Sequence, residues 1–179
     1  EILNAIVDFL APHTPLRGRR ALVTSGPTRE AIDPVRYLTN TSSGKQGHTI
    51  ARALARLGAE TVLVTGPTRQ APPPRVRVRN ILTAEEMLAA CEAELPVEIV
   101  VCAAAVADWR PVATRNQKLK KKTGQPPALA LQETPDILAR LSAPGPKRPA
   151  LVIGFAAETE NLLENAKAKR ARKGCDWLL

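Results

Sequence analysis

The most apolar stretch of the sequence is VEIVVCAAA, residues 97–105. A short, continuous run of this kind is typical of a strand that is buried on both faces of a parallel sheet. A similar run, ALVT at residues 21–24, follows three arginines, and TVLVT at residues 61–65 ends at a Gly-Pro pair. The sequence therefore predicts a buried sheet, with residues 97–105 as a central strand.

Segments of helical spacing alternate with these strands. Residues 47–57 carry apolar side chains at helical spacing and stop at Gly58, and Thr83 precedes Glu86 at the spacing of a capping box. The predicted helices are 3–10, 47–57, 83–95, one opened by Thr134 with Pro135 at its first position, and 159–173. The further predicted strands are 76–79, at the sheet edge, 128–131, 151–155 and 176–179.

The alternation of strands and helices predicts an α/β fold, a doubly wound, parallel sheet with helices on both faces. Ligands of such sheets bind beyond the carboxyl ends of the strands, where the strand order reverses. Four connections leave strands at that edge, after Thr24, Thr65, Ala105 and Phe155. We expect the functional residues there.

Composition narrows the class of protein. A hydrophobic fraction of 44% excludes a largely disordered chain, and no apolar run approaches the roughly 20 residues of a membrane span. The acidic opening residues do not have the pattern of a secretion signal. Three cysteines, far apart and odd in number, predict neither a disulfide framework nor a zinc site, and His13 and His48 are too isolated for a dyad. We expect a cytoplasmic protein.

The net charge of +9 leaves two interpretations open. It is typical of a solvated, arginine-rich surface, and equally of a site for an anionic ligand, either a polyphosphate or a nucleic acid. Nucleic-acid binders usually add aromatic stacking platforms, whereas the five aromatic residues here are scattered. The position of the charges must decide.

The connection over residues 25–44 is the first candidate site. It is far longer than the usual two to six residues, and its end combines small residues, hydroxyls and free amides with a predicted helix N-terminus, which favours phosphate oxygens. The alternative is a surface loop with ordinary serine caps. Neither a Walker motif nor a G-x-G-x-x-G fingerprint is present. The candidate phosphate and substrate residues are Gly26, Thr28, Ser42, Ser43 and Gly44.

Two further segments are candidates. The alanines of residues 103–107 would let a ring or ribose lie against the backbone, with Asp108 accepting a hydrogen bond, although alanines also fill cores. Lysines at 118 and 120–122 would be a solvated run, or a lid that neutralises a polyphosphate and stabilises departing pyrophosphate. Lys169 and Lys173 share one helix face.

Four motifs occur in order: GPTREAIDPVRYLTNTSSGK at 26–45, AAAVADWRP at 103–111, KLKK at 118–121 and GFAAET at 154–159. Together they closely resemble the bacterial phosphopantothenoylcysteine synthetase family, the C-terminal half of the bifunctional coenzyme A biosynthesis protein. The resemblance covers residues 18–179 and leaves 1–17 as a leading helix or linker. It implies a Rossmann-like, mostly parallel sheet with a ribokinase-like extension, in a homodimer.

The resemblance also implies an activity. The expected reaction is CTP-dependent ligation of 4′-phosphopantothenate to L-cysteine through an acyl-cytidylate, with Mg²⁺ carried by the CTP phosphates and no metal ligand from protein side chains. No flavin is expected, because the flavin-dependent decarboxylase that is normally fused upstream is absent from this sequence. The family also continues beyond Leu179, so we expect the last part of the domain to be absent. Neither a nucleic acid nor a membrane is an expected partner.

Family roles transfer to matching positions of this sequence. Asn40 matches an asparagine that engages the acyl-cytidylate, Arg36 an arginine of the second half-reaction, and Lys118 the first lysine of the lid. The positions that match nucleotide contacts are Cys102, Ala104, Asp108, Lys118, Thr134, Pro135, Phe155, Lys169 and Lys173.

Two other functions stay as alternatives. A nicotinamide-dependent reductase would use a similar sheet, but the missing glycine fingerprint disfavours it. A nucleic-acid-binding module would use the +9 charge, and its affinity would fall steeply with salt.

Overall fold

The computed structural model describes residues 14–120, 128–157 and 160–179. Its strands are β1 (Arg20–Ser25), β2 (Arg29–Asp33), β3 (Arg36–Thr39), β4 (Glu60–Thr65), β5 (Val76–Asn80), β6 (Ile99–Cys102), β7 (Trp109–Pro111), β8 (Leu131–Glu133), β9 (Leu151–Gly154) and β10 (Trp177–Leu178). Its helices are α1 (Lys45–Arg56), α2 (Ala84–Glu94), α3 (Ile137–Ser142) and α4 (Leu162–Lys173).

Six strands form the central sheet, in the order β10-β9-β6-β1-β4-β5, and every pair is parallel. The chain moves outward from β1 through β4 to β5 and then returns to β6 on the other side of β1. This order confirms the predicted doubly wound, Rossmann-like sheet. The strand order reverses between β1 and β6, so this is the place where such a sheet binds ligands.

The core lies on both faces of the sheet because successive strand residues point to opposite sides. On one face Leu22 and Val100 pack with Met87 of α2 and Leu141 of α3. On the other, Val23, Leu63 and Val101 pack with Ala51 of α1. All of these side chains are buried, which explains why the sequence shows continuous apolar runs instead of alternation.

Several local predictions are confirmed. Thr83 and Glu86 form both hydrogen bonds of a capping box at the start of α2. Gly58, with φ of 96°, follows the end of α1, and Gly174 is the C-cap of α4. The arginine-rich strand β5 lies at the edge of the sheet.

Other predictions are wrong in detail. Residues 25–44 are not an open loop, because β2 and β3 form an antiparallel hairpin within them. The strand predicted at 128–131 lies at Leu131–Glu133 and pairs with β7 outside the central sheet. The central strand is shorter than predicted, Ile99–Cys102, because beyond it the pairing continues only as an isolated bridge between Pro27 and Ala105.

Two helix starts also differ from prediction. Asp136, not Thr134, caps α3, so Pro135 precedes the helix instead of occupying its first position. Helix α4 begins after Asn161. The predicted cap at Thr159 and the predicted helix 3–10 lie outside the described residues.

Candidate active site

The β2–β3 hairpin follows β1 at the point where the strand order reverses. It is held to the sheet by Thr28, whose hydroxyl accepts a hydrogen bond from the Ala107 amide at 3.0 Å, and whose carbonyl accepts one from Thr39 Oγ1 at 2.6 Å. Glu30 is 4% exposed and accepts from the Ala84 amide at the start of α2. The hairpin is therefore fixed against both the loop after β6 and helix α2.

Arg36 begins the second strand of the hairpin and contacts the predicted lid segment. Its guanidinium donates to the Leu119 carbonyl at 2.8 Å and forms an ion pair with Asp33 at 2.5 Å. Leu119 directly follows Lys118, whose side chain is exposed. The structure thus brings Arg36 next to the segment that carries Lys118. The predicted positions Lys121 and Lys122 lie outside the described residues.

Asn40 follows the hairpin and faces the loop after β6. Its Nδ2 donates to the Val106 carbonyl at 2.8 Å, and its side chain is exposed. Val106 is two residues before Asp108, so Asn40 and the candidate nucleotide loop lie together.

The predicted anion site at the start of α1 is partly occupied by its own loop. Gly44, with φ of 70°, is the N-cap, and no side chain caps the helix. The hydroxyls of Ser42 and Ser43 accept long hydrogen bonds from the amides of Gly44 and Lys45, at 3.3 and 3.4 Å. A phosphate oxygen could replace these weak acceptors at the positive end of the helix.

The buried side chain of His48, on α1, packs against this turn and stabilises it. It is 3% exposed, and its Nδ1 lies 2.9 Å from the Gly44 carbonyl and 3.0 Å from Ser25 Oγ. A carbonyl can only accept, so Nδ1 carries the proton and the ring holds the turn in place. The sequence predicted no dyad for His48, and the structure gives it a structural role.

The nucleotide candidates of β6 and β9 lie at the same edge of the sheet. Cys102 pairs in register with Gly154, which directly precedes Phe155, and the Ala104 amide donates to Thr24 Oγ1 at 3.2 Å.

Burial raises the pKa of the Cys102 thiol to about 12 and also raises the pKa values of the Cys91 and Cys175 thiols. All three are therefore protonated and unsuited to nucleophilic attack near neutral pH. Cys91 and Cys175 are buried as predicted, whereas Cys102 is half-buried.

Thr134 joins the β7–β8 hairpin to the candidate nucleotide loop. Its amide donates to the Asp108 carbonyl at 3.0 Å and its hydroxyl to the Ala107 carbonyl at 2.6 Å. Pro135 follows it, and Asp136 forms an ion pair with Lys173 of α4. Asp108, Thr134, Pro135 and Lys173 are thus connected, and half-buried Lys169 is one turn from Lys173 on α4.

Two cavities open on this side of the molecule. One, of about 400 Å³, is lined by Thr134 and Pro135 together with Arg110, Glu133 and residues of α2. The other, of about 490 Å³, lies beyond β4 and β5, is lined by His48, Thr68 and Asn80 among others, and contains no residue predicted for the site. We place the candidate site at the strand reversal, where the predicted residues meet.

Protein-side metal ligands were not expected. Within the residues that the structure describes, no three His, Cys, Asp or Glu side chains gather as a metal site. In the same ranges no helix is long and apolar enough to cross a membrane.

Reasoning from the sequence missed Asp33. Its buried carboxylate binds Arg36 and the Leu119 amide, and so connects the hairpin with the lysine segment. The sequence did carry a signal for this role, because Asp33 is followed directly by Pro34. An aspartate that begins a turn commonly accepts hydrogen bonds from the main-chain amides that follow it.

Solved structures share this fold. The C-terminal domain of the coenzyme A biosynthesis bifunctional protein CoaBC is 40% identical, with a TM-score of 0.79 over 92% of this chain and 78% of that chain. A DNA/pantothenate metabolism flavoprotein from Streptococcus pneumoniae is 25% identical, with a TM-score of 0.75 over 90% of this chain and 81% of that one. A Cab2 variant in complex with phosphopantothenate-cysteine is 14% identical and shows the fold alone, with a TM-score of 0.72 over 98% of this chain and 78% of that one.

Curated relatives are similar over nearly the whole chain. CoaBC of Haemophilus influenzae is 41% identical and that of Escherichia coli 43% identical, each over 99% of this chain. The chain spans 44% of the length of each of these relatives. The model of the family described as the DNA/pantothenate metabolism flavoprotein C-terminal domain matches residues 16–179. The chain belongs to this family.

Proposed function

We propose that residues 18–179 form a ligase domain that joins 4′-phosphopantothenate to L-cysteine, with CTP as the activating nucleotide. The observation that carries the proposal is the meeting of separate motifs at the strand reversal: Arg36 contacts Leu119, beside Lys118, and Asn40 contacts Val106, beside Asp108. The relatives named for coenzyme A biosynthesis support the substrate class.

In the first step, a carboxylate oxygen of 4′-phosphopantothenate attacks the α-phosphorus of CTP. The bond to the bridging oxygen breaks, and pyrophosphate leaves with that electron pair. The amides at the start of α1 and the ammonium group of Lys118 would neutralise charge on the phosphates. Mg²⁺, bound through phosphate oxygens, would supply further charge neutralisation.

In the second step, the cysteine amine attacks the activated carbonyl carbon. The amide bond forms, CMP leaves with the electrons of the mixed-anhydride bond, and the amine loses a proton to solvent. Arg36 begins β3 and Asn40 directly follows its last residue. Their side chains contact the proposed lid segment and the candidate nucleotide loop, and would hold the intermediate during this attack. Orientation of this kind supplies much of the rate in acyl transfer.

We further propose a homodimer formed through the two hairpins. They lie side by side, since Thr114 Oγ1 and the Arg115 amide, which follow β7, donate to carbonyls of β2 at 3.2 and 3.0 Å. Large apolar side chains are left exposed on them, including Val35 at 59% and Trp109 at 51%. Exposed apolar patches of this kind commonly mark an interface.

A flavin-dependent decarboxylase domain is the proposed fusion partner in the full-length protein, with the flavin bound there.

Pyrophosphate release in the absence of cysteine tests the first step. With CTP and 4′-phosphopantothenate the wild type should release pyrophosphate, and Lys118→Gln should reduce the rate on the order of 100-fold, because a charge on the phosphates is lost. Lys147→Gln removes another exposed lysine before β9, at the opposite edge of the sheet, and should leave the rate unchanged. An unchanged rate in Lys118→Gln would refute the role of Lys118.

Calorimetry separates the alternative functions. CTP should bind, whereas NADPH and a DNA oligonucleotide should not. Tight binding of the oligonucleotide, falling steeply with salt and without any binding of CTP, would overturn the ligase proposal.

A further inference from the structure

Asp33 is a buried carboxylate at the end of β2 that has no role in the two chemical steps. It is 3% exposed. Oδ1 accepts from the amides of Val35 and Arg36, each at 2.9 Å, and so closes the turn of the hairpin. Oδ2 accepts from Arg36 Nε at 2.9 Å and from Leu119 N at 3.1 Å. One carboxylate therefore joins two segments that are 86 residues apart.

Arg36 completes this connection from the other side. Its guanidinium donates to Asp33 and to the Leu119 carbonyl, at 2.8 Å. Both polar groups of Leu119 are thus bound by the Asp33–Arg36 pair, the amide by the carboxylate and the carbonyl by the guanidinium. Since Lys118 is the preceding residue, its Cα can move little while both bonds hold.

The charge of Asp33 matches this role. The hydrogen bonds from the Arg36 guanidinium hold the pKa of Asp33 far below its usual range, against the effect of burial, and the amides of Leu119 and Val35 lower it further. The groups that face this carboxylate are the Arg36 guanidinium and the three main-chain amides already named. A neutral asparagine could not accept all of these donors, because one of its two terminal groups is itself a donor.

We propose that Asp33 is a positioning residue, which fixes the Arg36 guanidinium and the backbone of Lys118 and Leu119 relative to one another so that both cations meet the same anionic ligand. The inference rests on the proposed ligase function. Loss of positioning reduces a rate without removing a reacting group.

The first test measures how well the Leu119 amide is protected from hydrogen exchange in the protein without any ligand. Hydrogen exchange at the Leu119 amide should be on the order of 10-fold faster in Asp33→Asn than in the wild type, because the charged acceptor is lost. Leu119→Pro removes the same hydrogen bond from the opposite partner and leaves the Asp33–Arg36 pair in place. It has no amide to exchange at position 119, so it serves in the kinetic test below if Asp33→Asn folds poorly. Glu85→Gln breaks the exposed pair with Arg110 as a matched control and should leave the exchange unchanged.

The second test measures the reaction. Asp33→Asn and Leu119→Pro should each lower kcat for the complete reaction about 10- to 100-fold, with a smaller change in KM for CTP. In the double variant Asp33→Asn with Arg36→Gln, kcat should be no lower than in Arg36→Gln alone, because both changes remove one coupled unit. A purely structural role would instead multiply the two losses of kcat.

The outcomes distinguish the inference from the proposed function. Unchanged Leu119 exchange in Asp33→Asn, or an active wild type whose kcat is unchanged in both Asp33→Asn and Leu119→Pro, overturns the positioning role alone. A wild type that releases no pyrophosphate from CTP and 4′-phosphopantothenate overturns the proposed function, and the positioning role with it.

Discussion

At the level of single residues, folding favours the ionised form of the Asp33 side chain. The hydrogen bonds from the Arg36 guanidinium lower the pKa of the carboxyl group in the folded protein, and this pair is absent from the unfolded chain. The stabilisation is therefore fully present above the unfolded pKa of about 4, and is lost as the pH falls below that value towards the folded pKa.

This linkage predicts a pH-dependent cost for Asp33→Asn. The variant should lose stability relative to the wild type at pH 7, and the difference should shrink at pH 3, where the wild-type carboxyl group begins to lose the advantage of its charge. Urea unfolding of both proteins at the two pH values provides the measurement. An equal difference at pH 7 and pH 3 would show that the charge of Asp33 contributes nothing.

Asn40 offers a second test at this scale. In Asn40→Asp the hydrogen bond to the Val106 carbonyl is lost, and a carboxylate is placed where the proposed anionic intermediate would lie. We expect complete turnover to fall on the order of 100-fold, the usual cost of removing one donor to a developing charge. Asn80→Asp, the same change at the exposed end of β5, should be neutral. Equal turnover of the Asn40 variant and the wild type would argue against this placement.

At the scale of elements, the sequence predicted the strands of the central sheet far better than the hairpins. Buried parallel strands appear as continuous apolar runs, and the capping box at Thr83 is a local signal that tertiary contacts did not override. The hairpin β2–β3 was missed because its strands are short and carry the charged residues Arg29, Glu30 and Arg36. Its strand pairing depends on contacts with β7 and α2, which no local pattern contains.

The residues of the candidate site could be predicted from the sequence, but their contacts could not. The family motifs pointed to Arg36, Asn40 and Lys118. However, Arg36 contacts Leu119 and Asn40 contacts Val106, and both partners are far away in the sequence. Only the fold could show these contacts. The start of α3 was misplaced because Asp136 caps the helix with its side chain, which left Pro135 outside. Pattern alone could not decide between these two adjacent helix starts.

The two connections after β1 and β4 pack so closely that only glycine fits at position 66. A Cβ atom there would lie 1.7 Å from the Pro27 carbonyl oxygen, and backbone cannot yield as a side chain can. We expect Gly66→Ala to destabilise the protein by about 1–3 kcal/mol or more, as overpacking does. Gly145→Ala, where a Cβ atom meets nothing within 4 Å, is the matched control and should stay within about 0.5 kcal/mol. Thermal unfolding of the three proteins measures this, and equal melting temperatures would contradict the close packing.

At the scale of the whole molecule, the two hairpins place exposed apolar side chains beside the proposed site. If they form the dimer interface, Trp109→Glu should shift the protein towards monomer in sedimentation experiments, because a charge would have to be buried there. Leu163→Glu, at an apolar side chain of α4 that is 73% exposed, should leave the dimer intact. A monomeric wild type at tens of micromolar, or dissociation by the Leu163 change instead, would contradict this surface as the interface.

In the proposed function, one nucleotide would occupy the strand reversal between β1 and β6. A crystal structure with CTP and Mg²⁺ tests this most directly. We expect the triphosphate at the amides that begin α1, within reach of Lys118, and the nucleoside beside Ala104 and Asp108. CTP bound in the cavity beyond β4 and β5, with Lys118 and Asn40 both out of contact with it, would contradict the account.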